Sequence, residues 1–110
     1  MNENVEYDND TSFIVLLTTI GRKTGQNHTV PLRAVKYKNK LYFSRRNTSS
    51  DWLKNALINS KVRIICNDKM YHGKAKLEND EWLMKKISKI KYNDNDRSLE
   101  HRIILEVTLV

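Results

Sequence analysis

Apolar and β-branched residues occur in short runs along this chain, and polar turns separate the runs. The first run, SFIVLLTTI at residues 12–20, is continuous and ends at a glycine, as is typical of a buried strand. A second strand is predicted from about His28 to Tyr37, and a third, LYFS, at residues 41–44. The links between these three strands are too short for helical crossovers, so we predict an antiparallel meander.

The next segment changes from strand to helix periodicity. The polar residues RRNTSS end in serines, which favour helix N-caps, and DWLKNALINS then places Leu53, Ala56 and Leu57 on one stripe. Two further strands are predicted at residues 62–67 and 70–77, with a tight polar turn between them. This part of the chain therefore adds one helix and one hairpin to the meander.

The last third of the chain contains a second helix and a final strand. The helix is predicted to start near Asn79, because Leu83, Ile87 and Ile90 follow at spacings of i, i+4 and i+7. The strand at residues 103–110 carries apolar side chains at both alternating sets of positions. We therefore expect this strand to be covered on both faces.

These elements, about six mostly antiparallel strands and two short helices, indicate a mainly β, α+β protein built as a small barrel. A chain of 110 residues suffices for one core but not for two, so we predict a single domain at residues 12–110. Residues 1–11 are polar and acidic, without the apolar segment of a signal peptide, and are predicted to be a flexible lead-in.

The charge balance indicates an anionic partner. Lys and Arg number 20 against 13 Asp and Glu, a net charge of +7 with neutral histidines. Nucleic acid, a membrane surface and a phosphorylated small molecule all fit this surplus, and charge alone does not choose among them. Cys66 is the only cysteine, which excludes an intramolecular disulfide and fits a reducing cytoplasm. No run approaches the roughly 20 apolar residues of a membrane span, so we expect a soluble, cytoplasmic protein.

Several common site types are absent from the sequence. There is no Gly-x-Gly-x-x-Gly, no phosphate-loop order of glycines and lysine, and no Gly-x-Ser-x-Gly elbow. His28, His72 and His101 lie far apart without ligand-spaced Cys, Asp or Glu, so we expect no metal site. Cys66 lies in the apolar run VRIIC and is interpreted as a core thiol, not a nucleophile.

The turn after the first strand carries the most distinctive chemistry. Arg22 and Lys23 lie side by side between Gly21 and Gly25. A guanidinium fork suits phosphate or carboxylate, lysine adds a mobile charge, and backbone N–H groups around the glycines could add an anion nest. The alternative is a solvated hairpin whose cations keep a sheet edge soluble.

The stretch LLTTIGRKTGQNHTVPL, residues 16–32, closely resembles the signature of the deazaflavin-dependent nitroreductase family. The likeness continues into WLKNALINSKVRI and covers about residues 14–66. It implies a split β-barrel of the FMN-binding, pyridoxamine-phosphate-oxidase-like type, usually a homodimer. It also implies an oxidoreductase that uses coenzyme F-420, an 8-hydroxy-5-deazaflavin with a phosphodiester and a glutamate tail, to reduce quinones, nitro compounds and other electron-poor organic acceptors.

The same resemblance assigns roles to particular residues. Arg22 and Lys23 would hold the anionic tail, with His28 standing where the family has a second arginine, and the backbone of Pro31 and Leu32 would line the deazaflavin ring. The other implied cofactor contacts are Arg46, Asn47, Trp52 and Asn55. Arg46 and Asn47 replace a Ser-Lys pair of the family, which keeps FMN as an alternative cofactor. Tyr92 is the implied proton donor.

Alternatives to these roles remain open. Trp52 could pack on the barrel, Asn55 could be an exposed helix residue, and Tyr92 could cap the second helix. The protein could also bind a flavin without turnover. A third function, binding of single-stranded nucleic acid to a small basic barrel, would use stacking and phosphate contacts from Tyr37, Tyr42, Phe43, Arg45 and Arg46. The resemblance favours the enzyme over both.

Overall fold

The computed structural model describes residues 5–45, 50–91 and 103–110. Its elements are β1 (Thr11–Ile20), β2 (Asn27–Tyr37), β3 (Lys40–Arg45), α1 (Asp51–Ile58), β4 (Lys61–Cys66), β5 (Lys69–Glu78), α2 (Glu81–Lys91) and β6 (Ile103–Leu109). The strands pair antiparallel in the order β1-β2-β3-β6-β5-β4 and close into a barrel. The predicted fold class is confirmed, and each predicted strand boundary lies within one residue of the observed one.

The second strand is longer than its pairing with the third. Residues 27–36 of β2 pair with β1, whereas the described pairing with β3 covers only residues 35–37. Residues 27–34 therefore have a second edge that pairs with no described strand. Pro31 lies in this stretch, where an edge strand tolerates the missing backbone N–H.

One apolar cluster fills the barrel interior, and α1 contributes to it with one face. Trp52, Leu53 and Ala56 of this helix join strand residues such as Phe13 and Leu17. Leu57, predicted to lie on the same stripe, is 43% exposed. That prediction is wrong because the buried face of this two-turn helix comprises Trp52, Leu53, Asn55 and Ala56, which turns Leu57 toward solvent.

The second helix packs on the outside of the barrel. Met84 and Ile87 of α2 cover a second cluster on β2, β3 and β6, formed with Val35, Tyr37, Tyr42 and Ile104. The other alternating residues of β6, Leu105, Val107 and Leu109, belong to the interior cluster, so the expectation of a strand covered on both faces is confirmed. Full burial of a side chain such as Ile87 contributes about 1.5–3 kcal/mol. Over the described parts of the chain, the helices are too short or too polar to cross a membrane.

The described part of the N-terminal segment contacts the barrel. Val5 is 3% exposed and joins the interior cluster, and the ring of Tyr7 stacks on that of Phe13 with centroids 3.9 Å apart. The buried Lys36 donates hydrogen bonds from Nζ to the carbonyl oxygens of Val5 and Tyr7, at 3.2 and 2.8 Å. The flexibility predicted for residues 1–11 stays a prediction, and these contacts give residues 5–10 a defined place against the barrel.

Candidate functional site

The turn between β1 and β2 is built on two glycines. The N–H of Gly21 donates to the carbonyl of Gln26 at 2.7 Å, and the N–H of Gly25 donates to the carbonyl of Gly21 at 2.9 Å. Gly25 has φ of +74°, a left-handed conformation that favours glycine. Gly21 is buried, and a Cβ at this position would lie 2.8 Å from His28 Nε2. The imidazole of His28 can therefore pack against the turn only because residue 21 has no side chain.

Arg22 is held against the first helix. Its Nη1 donates to Asn55 Oδ1 at 2.7 Å, its backbone N–H donates to the same oxygen at 3.2 Å, and its Nη2 donates to Asp51 Oδ1 at 3.2 Å. The side chain of Arg22 is 23% exposed, whereas that of Asp51 is 84% exposed. The guanidinium is thus fixed at one edge by α1.

Asn55 organises this arrangement from inside the protein. It is 3% exposed, and its Nδ2 donates to Thr19 Oγ1 at 3.3 Å, while its Oδ1 accepts both hydrogen bonds from Arg22. Both ends of the buried amide are therefore satisfied. The alternative that Asn55 is an exposed helix residue is therefore wrong. Asn55 positions Arg22, because its oxygen fixes both the backbone and the side chain of that residue.

Four of the backbone N–H groups around the glycines of the turn have acceptors within the protein. The N–H groups of Gly21 and Gly25 donate within the turn, that of Arg22 donates to Asn55, and that of Gln26 donates to Thr24 Oγ1 at 3.2 Å. These groups are occupied by protein acceptors. An anion at this turn would therefore not be bound by these four N–H groups.

These residues enclose a cleft of about 230 Å³, which we call the Arg22 cleft. Its lining consists of Gly21, Arg22, Lys23, Thr24, His28, Asp51 and Asn55. Four predicted site residues, Arg22, Lys23, His28 and Asn55, therefore come together in one place. Lys23 and His28 are exposed, so their donors are accessible beside the half-buried guanidinium. The Arg22 cleft is suited to a phosphate or carboxylate group.

Pro31 and Leu32 lie on the stretch of β2 whose second edge has no described partner. Pro31 is exposed, and Leu32 is half-buried against the interior cluster. An unpaired strand edge presents backbone N–H and C=O groups in a row. Backbone contact with a planar ring is therefore possible along this edge, outside the Arg22 cleft.

The remaining predicted residues lie elsewhere. Trp52 is 7% exposed and packs against Phe43 in the barrel interior, with ring centroids 6.1 Å apart. It does not line the Arg22 cleft, and its position corresponds to the packing alternative. Arg46, Asn47 and Tyr92 lie outside the described residues, so their roles stay predictions.

The aromatic residues proposed to stack on nucleic-acid bases are buried. Tyr37, Tyr42 and Phe43 are 8%, 4% and 2% exposed. Tyr42 donates to Glu106, and burial together with the charge of Glu106 raises the pKa of the Tyr42 hydroxyl above its ordinary value. These rings pack the protein and offer no open face for bases, so that interpretation of the tyrosines is wrong.

Two residues of the site, Asp51 and Thr19, were not predicted from the sequence. Asp51 precedes the predicted Asn55 by four residues, which places both on one face of α1. This spacing is the signal that could have identified Asp51. Thr19 gave no such signal, because it lies inside an apolar run.

Cys66 is buried and free, and burial raises the pKa of its thiol, as fits a core residue. Within residues 5–45, 50–91 and 103–110, no three His, Cys, Asp or Glu side chains are grouped so as to hold a metal ion.

Solved structures share this fold. A protein described as a domain-swapped dimer matches with a TM-score of 0.68 and 23% identity over 86% of this chain and 78% of its own. A structure described as F420-H2 dependent reductase (FDR-A) matches with a TM-score of 0.63 and 22% identity over 88% of this chain and 93% of its own. A pyridoxamine 5'-phosphate oxidase-like protein from Listeria innocua matches with a TM-score of 0.65 and 16% identity over 87% and 82%. At these identities the likeness establishes the split-barrel fold.

The family follows from the sequence itself. No curated protein matches the chain. The model of the family described as F420H(2)-dependent quinone reductase matches residues 3–104, which include both helices and the whole Arg22 cleft. This match agrees with the resemblance found in the turn after β1, and it assigns coenzyme F-420 as the cofactor. The chain therefore belongs to the F420H(2)-dependent quinone reductase family and is an oxidoreductase of the split β-barrel fold.

Proposed function

We propose that this protein transfers a hydride from reduced coenzyme F-420 to an electron-poor organic acceptor, with a quinone as the first candidate and a nitro compound as the second. The observation that carries the proposal is the Arg22 cleft. A guanidinium fixed by Asn55, with Lys23 and His28 beside it, suits an anionic cofactor tail. The family match supports the cofactor and the quinone.

The donor set fits the cofactor in two parts. The Arg22 cleft, at about 230 Å³, is smaller than the roughly 300–1,000 Å³ of a typical small-molecule site. It therefore suits the phosphodiester and not the ring. The edge of β2 at Pro31 and Leu32, which pairs with no described strand, would orient the ring, and the ring supplies the hydride chemistry when bound. Trp52 is assigned to packing in the barrel interior, where it contacts Phe43.

The proton donor and the choice of flavin belong to the same proposal. Tyr92 is the proposed proton donor, and Arg46 and Asn47 are proposed to face the ring; these three assignments rest on the family resemblance. FMN has a terminal phosphate that also suits the Arg22 cleft. Fluorescence titration with each flavin distinguishes them, and we expect coenzyme F-420 to bind more tightly. Tighter binding of FMN would contradict the proposed cofactor preference.

The double substitution Arg22→Gln, Lys23→Gln tests the cleft directly. Charge-assisted hydrogen bonds contribute roughly 1.5–3 kcal/mol each, so we expect F-420 affinity to fall about a hundredfold or more. Fluorescence titration measures this loss, and thermal melting checks that the fold is kept. The loss should shrink at high salt, because screening already weakens the wild type.

The matched control is Lys85→Gln, Lys89→Gln, which removes two exposed cations from α2. It alters net charge equally but lies away from the Arg22 cleft. Equal losses in both double variants would show that diffuse attraction, and not this cleft, binds the cofactor.

A turnover assay distinguishes a reductase from a protein that binds the flavin without turnover. The wild type is mixed with reduced F-420 and a quinone, and oxidation of F-420 is followed. Binding without oxidation of F-420 would favour the protein without turnover.

We also propose that the protein forms a homodimer through the outer face of β1. Leu16 pairs in register with Pro31 on one side and Ile65 on the other, and Ile65 pairs with Met70. Leu16 and Met70 are 39% and 53% exposed, and Ile14 on the same face is 57% exposed. We call Ile14, Leu16, Pro31, Ile65 and Met70 the apolar row. A contiguous apolar surface of this kind is typical of a protein interface.

Light scattering tests the dimer. We expect a mass about twice the 13.0 kDa of the chain, and we expect Leu16→Lys, Met70→Lys to reduce it toward the monomer. Trp82→Lys is the control, because Trp82 is 64% exposed on α2, away from the apolar row. A wild type that stays at the monomer mass from micromolar to millimolar concentration would refute the dimer.

We propose a cytoplasmic location as well. Cys66 is a free thiol, and the sequence has no other cysteine with which it could form an intramolecular disulfide. A reducing compartment keeps such a thiol reduced. Fractionation of cells that produce the protein, followed by immunoblotting, tests the location; recovery outside the cytoplasmic fraction would contradict it.

A further inference from the structure

A second cleft, of about 220 Å³, opens on the outer face of the barrel. Its lining consists of Thr18, Ile20, Asn27, Lys61, Val62, Arg63 and His72, and we call it the Arg63 cleft. It shares no residue with the Arg22 cleft. Ile20 and Asn27 line one cleft, and the adjoining Gly21 and His28 line the other. The two clefts therefore flank the base of the same hairpin.

The register of three strands assembles the cationic lining. Arg63 pairs with Thr18 of β1 on one side and with His72 of β5 on the other, so these three side chains form a row across the face. Lys61 precedes Arg63 by two residues on the same strand and points to the same face, where it pairs with Lys74. Residues far apart in sequence thus converge as donors.

Arg63 differs from Arg22 in its partners. It is half-buried, yet its side chain makes no hydrogen bond or ion pair with any described residue, and no Asp or Glu lines the cleft. Arg22, by contrast, has Asp51 and Asn55. A guanidinium that is partly removed from water without an acceptor is costly, and repulsion from Lys61 adds to this cost. A bound anion would offset both costs.

We propose that the Arg63 cleft is a second anion-binding site, which takes a phosphate or carboxylate group between Arg63, Lys61 and His72. The guanidinium fork binds such a group with two parallel hydrogen bonds, and lysine and imidazole supply further donors. The volume suits the anionic group of a small molecule and not a whole nucleotide. The proposal does not depend on which cofactor the Arg22 cleft binds.

Phosphate titration followed by NMR tests the site. We expect the amide signals of Thr18, Arg63 and His72 to shift saturably with inorganic phosphate at constant ionic strength. Arg63→Gln should weaken this binding about tenfold or more, the loss expected for one charge-assisted contact. Lys61→Gln is a second variant at an exposed position, which keeps the test decisive if Arg63→Gln does not fold.

Arg33→Gln is the matched control. Arg33 is an exposed arginine on the outer face of β2, bonded to Ser12 at 3.3 Å and outside the cleft. We expect it to leave phosphate affinity unchanged within about twofold, since surface substitutions have small effects. Equal losses from Arg33→Gln and Arg63→Gln, or the absence of saturable shifts at Thr18 and His72, would overturn the proposal.

The anionic group in the Arg63 cleft could belong to the carboxylate tail of F-420 or to a separate metabolite, since both offer the same chemistry. Two further measurements distinguish these sources. If the tail is the occupant, Arg63→Gln weakens binding of F-420 but not of a deazaflavin without phosphodiester and tail. If a separate metabolite is the occupant, phosphate and F-420 bind the wild type together, and Arg63→Gln affects phosphate alone. Arg22→Gln should leave the phosphate-induced shifts at Arg63 unchanged. A failure of the proposed cofactor binding in the Arg22 cleft therefore gives a different result from a failure of the proposed anion binding in the Arg63 cleft.

Discussion

The two helices differ in what their buried faces carry. The buried face of α1 includes the amide of Asn55 among apolar residues. The Oδ1 atom of this amide accepts two hydrogen bonds from Arg22, in the hairpin between β1 and β2. The buried face of α2 consists of Met84, Ile87 and Ser88, and it packs on the outer cluster of the barrel. The difference teaches that α1 holds Arg22 in place, whereas α2 packs on the outside of the barrel.

The largest effect is expected from α2. Ile87→Ala removes a side chain that is 0% exposed, and such truncations cost about 2–5 kcal/mol in the free energy of unfolding. Chemical denaturation measures this loss. The affinity of the folded fraction for F-420 should stay unchanged, and a large fall in affinity would contradict the division of roles between the helices.

A smaller loss of stability but a larger loss of binding is expected from α1. Asn55→Ala removes the acceptor of two Arg22 donors and also the group that donates to Thr19 Oγ1. We expect this to cost about 1–3 kcal/mol in the free energy of unfolding. The freed guanidinium should bind F-420 roughly tenfold more weakly, equivalent to about 1.4 kcal/mol. Fluorescence titration measures this affinity.

The rescue variant is Asn55→Asp, which keeps an acceptor for Arg22. If Asn55 acts by positioning, Asn55→Asp should hold Arg22 better than Asn55→Ala, as judged by the NMR signal of the guanidinium. Identical behaviour of both variants would indicate that Asn55 has no positioning role.

The opposite sign is expected at the start of α1. The carboxylate of Asp51 occupies Arg22 Nη2 and repels an incoming anion. Exposed ion pairs contribute about 0.2–1 kcal/mol, so Asp51→Asn should bind F-420 up to about fivefold more tightly. Glu81→Gln, an equal charge change at the exposed start of α2, should have a smaller effect. Weaker binding by Asp51→Asn would mean that Asp51 orients Arg22 and does not compete for it.

The smallest effect at neutral pH concerns a tyrosine under α2. Burial first, and the charge of Glu106 second, raise the pKa of Tyr42. A raised pKa means that the neutral hydroxyl is favoured in the folded state. The associated stability is therefore complete below the unfolded value of about 10 and declines as the pH rises above it. Tyr42→Phe should flatten the alkaline decline measured by denaturation, and an unchanged slope would contradict this assignment.

Local periodicity determined the elements of this protein. Alternating and helical spacings act between residues that are neighbours in sequence, so they predicted each strand boundary to within one residue. The motif at residues 16–32 was also local, and it identified the family together with three residues that line the Arg22 cleft, Arg22, Lys23 and His28. The buried role of Asn55 was not predicted, because a helix residue's burial depends on which face meets the barrel.

Tertiary structure alone decided the contacts between distant residues. Arg22 and Asn55 are 33 residues apart, and Thr18, Arg63 and His72 come from three strands. The same structure buried Tyr37 and Tyr42, which the sequence allowed on the surface. Strand register and the placement of a helix depend on many weak contacts across the whole chain, so no short stretch of sequence specifies them. The turn thus contained the chemistry of the first cleft, and only the closed barrel could create the second.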